Sequence, residues 1–210
     1  MQPITHVILG QPPAPLRTAL SVIGERLYGL TAKTPIFRDT PDRIATSCVF
    51  LSLVVCDTLR QAGFTAEPRP CALAVEKRGV HQLVIGNPTD KDANAWSWAG
   101  HLIVCAEGVL IDPSLGQARR PEWPRLPDIA AAPLFTPPRD GSLDNRPMPL
   151  LSAMINAAEG FRALWFDTPE NTRWIGSPDT QPDRRRRLAD KLSLAIGAAI
   201  QRDPTRHRTE

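Results

Sequence analysis

The sequence predicts an α+β fold in which a buried helix packs on an antiparallel sheet. Three observations lead there. Residues 47–63 are apolar on nearly every side, the pattern of a helix sunk inside a globular core. Strand-like runs follow at 71–75, 80–85, 101–105 and 109–112. Amphipathic helical stripes stand on either side of this block, one before residue 31 and one after residue 181.

Taken in order, residues 6–9 suit a short strand or a loose arm. Pro12, Pro13 and Pro15 lead into a helix whose Leu16, Leu20, Ile23, Leu27 and Leu30 recur at helical steps. A loop covers 31–40. Thr40-Pro41-Asp42 offers one helix start, since threonine caps well and proline fits a first turn. The reading taken here is a short separate turn at 40–45 and a main helix beginning at Thr46 or Ser47. Gly63 ends it, because glycine accepts the left-handed conformation of a helix terminus. Residues 71–75 and 80–85 form strands joined by Lys77-Arg78-Gly79. A polar loop and Trp96-Ser97-Trp98 come next. Residues 101–105 and 109–112 flank Ala106-Glu107-Gly108 and read as a hairpin.

From Asp112 through Pro149 the chain holds nine prolines, which predicts an extended wrap over the surface, pinned by Leu126, Ile129, Leu134 and Phe135. Residues 149–160 suit a short helix and 163–166 a short strand. A last helix runs from Pro182 to about Arg202, with Leu188, Leu192, Ala195, Ile196 and Ala199 on one face, and 203–210 form a disordered tail. The expected organisation is one domain over 1–202: a core at 41–116, the proline-rich wrap at 113–149 and the helix at 182–202.

Apolar residues make up 42% of the 210 and charged ones 22%, ordinary values for a globular chain. A net charge of +3 calls for no acidic partner. Met1-Gln2-Pro3-Ile4 lacks the basic start and apolar run of a secretion signal. No apolar run reaches the ~20 residues of a membrane span. Cys48, Cys56, Cys71 and Cys105 show no CxxC spacing and suit free thiols in a reducing compartment. The expectation is a cytoplasmic protein with no membrane contact.

Cys48 is the candidate nucleophile. At the leading end of a buried helix, unpaired N–H groups and the helix dipole favour thiolate over thiol. Thiol acyl transfer also needs a base and a group that orients it. His101 opens one strand of the hairpin and Asp112 closes the other, so the turn brings them almost opposite each other. Asp112 then holds one ring nitrogen and leaves the other for the thiol. The backbone N–H of Cys48 is the candidate oxyanion donor, since donors at a helix start point the right way. Cys56 and His81 are the rival nucleophile and base. Trp96 and Trp98 either wall the site or fill core. A zinc site at Cys48, His101 and Asp112 lacks paired-ligand spacing. Arg184 to Arg187 would point in different directions around a helix, and Asp183 is the acid nearest to offset them.

These residues carry a resemblance. A cysteine opens a helix that ends in Leu59-Arg60-Gln61-Ala62-Gly63-Phe64. Gly100-His101 follows on a strand, and Ile111-Asp112-Pro113-Ser114 on the next. Over roughly residues 46–116 this resembles the transglutaminase-like superfamily, which shares the papain-like cysteine fold with arylamine N-acetyltransferases. The acetyltransferases' Arg-Gly-Gly-x-Cys run is replaced here by Ala45-Thr46-Ser47, which favours the transglutaminase-like branch. The resemblance implies a Cys–His–Asp triad at Cys48, His101 and Asp112. It also implies thiol-dependent acyl transfer or amide hydrolysis on a peptide or small acyl substrate, with no metal or organic cofactor. The alternative is an inactive member of the fold that binds a protein or nucleic-acid partner through its wrap and arginine helix, nucleic acid being the less expected of the two.

Overall fold

The computed structural model describes residues 6–44, 46–78, 80–86, 100–120, 126–134, 149–156 and 159–202, with the side chains of His81, Gln82 and Pro149 outside that description. It is a mixed α+β structure. The described helices are α1 (Ala14–Thr31), α2 (Cys48–Gln61) and α3 (Pro182–Gln201). The strands are β1 (His6–Ile8), β2 (Ala66–Lys77), β3 (Val80–Ile85), β4 (His101–Ala106), β5 (Val109–Asp112), β6 (Ile129–Pro133), β7 (Pro149–Asn156) and β8 (Phe161–Asp167). They join in one sheet of order β1-β6-β5-β4-β2-β8-β7, with β3 also on β2. Every pair is antiparallel except β1 with β6, which is parallel, so the sheet is not wholly antiparallel as expected.

α2 is the hub. Eleven of its 14 residues are buried, as its unbroken apolar pattern required. Each fully buried leucine, valine or phenylalanine contributes about 1.5–3 kcal/mol relative to exposure. Phe50, Leu51, Val54 and Val55 meet Leu16, Ile23 and Leu27 of α1 and Leu188, Leu192 and Ile196 of α3 in one core. Val104, Ala106, Val109 and Ile111 supply the sheet's side of that core. Alternation along β4 and β5 sends Ile103, Cys105 and Leu110 into a second core with Phe161, Ala163 and Trp165. Helix α2 stops at a left-handed Gly63 (φ +89°), where Phe64 N–H donates to Leu59 O at 3.0 Å. The β4–β5 turn places Glu107 and Gly108 both at positive φ, a type I′ turn matched to the twist of a hairpin.

Two expectations about the proline-rich half need correction. Residues 149–156 are the strand β7, not a helix. Leu151, Ala153 and Ile155 are buried in alternation and their strand pairs with β8, a period of two that burial on the sheet rewards. The wrap also contains regular structure: a 3-10 turn at Leu115–Ala118, and β6, whose Ile129-Ala130-Ala131-Ala132 is free of proline and pairs with β5. Proline even enters β2. Pro68 and Pro70 lie where β2 pairs with β4 alone, before β8 begins its pairing at Cys71, so their missing N–H groups break no ladder. The expected tail at 203–210 lies outside the described residues.

Candidate active site

The approach to α2 explains why Cys48 is its first residue. A 3-10 turn at Pro41–Arg43 is followed by Thr46 and Ser47, whose hydroxyls both donate to the Arg43 carbonyl, at 3.0 and 2.8 Å. Ser47 occupies the capping position and makes no side-chain cap. The first-turn N–H groups, which no helical carbonyl can reach, are therefore not claimed by that hydroxyl. Cys48 is 7% exposed and sits with Val49, Leu53 and Leu102, with Trp174 packed against this cluster. Trp174 Nε1 is buried and has no hydrogen-bond partner among the described residues. Ser52, one turn along, donates to Leu102 O at 2.6 Å and ties α2 to β4 beside His101.

His101 and Asp112 are fully buried. The register pairs Val104 with Ile111, so Asp112 falls opposite Ile103 and diagonal to His101, on the same face. That diagonal is bridged by His101 Nε2 and Asp112 Oδ2 at 2.8 Å. The same oxygen accepts from Trp165 Nε1 at 2.9 Å, and Oδ1 accepts from Ser114 N–H at 3.0 Å. The Cys48 side chain lies close enough to the ring to influence its protonation. Burial is the largest influence on the imidazole and by itself disfavours charge. The charge and hydrogen bond of Asp112, then those of Cys48, outweigh it and hold the pKa up at about 10, from an ordinary 6.5. These influences favour a proton on the ring, which has the Asp112 carboxylate on one nitrogen and the Gln117 amide on the other.

One short segment supports both ring nitrogens. Beyond Asp112 the 3-10 turn brings Gln117 onto Nδ1, the nitrogen that Asp112 leaves open. The amide nitrogen of Gln117 faces Nδ1, an arrangement that fits a ring accepting there while its Nε2–H donates to Asp112. Gly116 permits the turn: a Cβ there would fall 2.6 Å from Asp128 Oδ1. Asp128 pairs with Arg119 at 3.0 Å, and Arg119 also holds the Leu126 carbonyl. Tyr28 of α1 donates to Pro113 O at 3.1 Å. Burial first, then the charges of Asp128 and Asp112, push that hydroxyl well above the usual phenol range, so it remains a donor.

The structure thus brings Cys48, His101 and Asp112 together. Cys56 is elsewhere: it faces Ala66 O, and burial pushes its thiol up to about 11. Burial likewise raises Cys71 and Cys105, and all four thiols are free. His81 stands opposite Glu76 on β2, whereas His101 stands opposite Cys71, roughly 16 Å away along the strand. Trp96 and Trp98 lie outside the described residues. Among those described, no group of three or more His, Cys, Asp and Glu side chains is arranged to hold a metal, and no helix is long and apolar enough to cross a membrane. Sequence reasoning missed Trp165, Gln117 and Trp174. Only Trp165 left a signal, as an indole on a buried strand whose N–H needs an acceptor. Comparison with protein-family models finds no match, and comparisons with curated proteins and with solved structures find none either.

Proposed function

We infer that the chain is a cysteine hydrolase or acyltransferase of the transglutaminase-like, papain-like kind. One observation carries this reading: a cysteine heading a buried helix beside a histidine ring that a buried carboxylate holds. The Cys48 thiolate attacks an amide, ester or thioester carbonyl, and the carbon–sulfur bond forms as the carbonyl electrons move to oxygen. The first-turn N–H of Cys48 receives that oxyanion, and the buried Trp174 N–H is an open donor beside the same cluster. Imidazolium His101 protonates the leaving group as the tetrahedral adduct collapses to a thioester. Water or an amine then attacks the thioester, His101 takes its proton, and Cys48 leaves as thiolate. Asp112 keeps the ring oriented and charged throughout.

Iodoacetamide at neutral pH tests the nucleophile. The wild-type chain takes one label at Cys48, and Cys48→Ala takes none while keeping its circular-dichroism spectrum. Equal labelling of the variant sinks the reading. The burial of Cys48 favours a second one, a non-catalytic binding module of the same fold. An unreactive Cys48 together with no thioester adduct from p-nitrophenyl acetate selects it.

A further inference from the structure

Residues 184–187 are four consecutive arginines, and the structure pairs three of them. Arg184 lies 3.3 Å from Asp179 and Arg186 3.3 Å from Asp183. Arg185 is buried and holds Asp57 of α2 at 2.5 Å. Arg187 takes no carboxylate among the described residues. It lines a cleft of about 270 Å³ with Lys191, one turn along α3, and with Lys33 and Arg38 from the segment after α1. Leu30 and Leu188 provide apolar wall, and no acidic residue lines the cleft.

Arg187 and Lys191 repel as a like-charged i,i+4 pair, and two more cations face them from another element. Without these four the chain would carry a net charge of −1, against +3 for the whole. Four cations share one concavity that no acidic residue lines, while neighbouring arginines are neutralised by carboxylates close at hand.

We propose that this cleft binds a small organic phosphate, its phosphate oxygens on the Lys33, Arg38, Arg187 and Lys191 side chains and its carbon body against Leu30 and Leu188. Arginine and lysine together suit phosphate, the one as a planar fork and the other as a compact charge. The cations ring a cavity near the lower end of ligand-site sizes, roughly 300 Å³. A protein that tracks a nucleic-acid backbone instead spreads charge along a groove with aromatic stacking surfaces, and none lines this cleft. The cleft shares no residue with the Cys48 site, so the inference stands whether or not that site is catalytic.

Calorimetric titration of the full chain with phenyl phosphate and with inorganic pyrophosphate tests it at low salt. Both probes saturate one site below roughly 1 mM. Arg187→Glu and Lys191→Glu each weaken binding about tenfold or more, while Arg186→Glu, outside the cleft, changes it by less than about threefold. Thermal unfolding of each variant confirms that it folds, and two separate reversals guard against one that does not. Absence of saturable binding overturns the proposal. So does equal weakening by Arg186→Glu, which would reveal only diffuse attraction. Tighter binding of a single-stranded oligonucleotide at the same residues would replace it with nucleic-acid recognition.

Discussion

Asp112→Asn is the most informative perturbation because it changes charge at almost constant shape. Asp112 has no exposed surface and accepts four hydrogen bonds, from His101 at 2.8 Å, Trp165 at 2.9 Å, Ser114 N–H at 3.0 Å and the Ser114 hydroxyl at 3.5 Å. An asparagine has only one acceptor end. If its oxygen keeps Ser114, its amide hydrogens meet the Trp165 N–H; if it keeps His101 and Trp165, they meet the Ser114 N–H. Bonds to a charged partner contribute about 1.5–3 kcal/mol each, and one donor is left buried and unpaired. Relief of carboxylate burial offsets part of this, leaving a loss of about 3–5 kcal/mol, the usual cost of breaking a buried ion pair. Urea unfolding at pH 7 with an unchanged slope measures it.

The pH dependence provides a second readout. The folded ring binds its proton up to a pKa of about 10 and the unfolded ring only to about its ordinary 6.5. Between those values the native state holds more protons, so this contribution is complete below 6.5 and is lost as pH rises through about 10. The stability difference between wild type and Asp112→Asn therefore narrows across that window. A loss under about 1 kcal/mol at pH 7, or a difference that widens with pH, refutes the imidazolium–carboxylate pair.

Two further substitutions probe the surroundings of the site. Gln117→Leu removes the amide that faces Nδ1 of His101, so iodoacetamide labelling of Cys48 at neutral pH accelerates several-fold; slower labelling would mean that the amide holds the ring in register instead. Arg185→Ala strands Asp57 and frees the carbonyls of Asp179 and Thr180, which Arg185 also holds. It costs about 3 kcal/mol in urea unfolding, and a loss below about 1 kcal/mol would show that α2 and α3 stay joined by apolar packing alone.

Local pattern carried much of the architecture. The apolar run of α2, the stripe of α3 and the glycine turn between β4 and β5 are legible because each element's period and punctuation lie within about twenty neighbouring residues. The hairpin also limits how far His101 can stand from Asp112, since register follows from a short turn. Where prediction failed, propensity met tertiary demand. Leu150-Leu151-Ser152-Ala153 tolerates a helix in isolation, and pairing with β8 decides for a strand.

By itself, the sequence determined that a cysteine opens a buried helix and that a histidine and an aspartate share a hairpin. These are consequences of spacing. Only the tertiary structure decided that the helix's leading end meets that hairpin, that Trp165 and Gln117 complete the hydrogen bonding around Asp112 and His101, and that Arg187 leaves its three neighbours to join Lys33 and Arg38. Such meetings depend on how helices and sheet pack across long stretches of chain, and no local period encodes that distance.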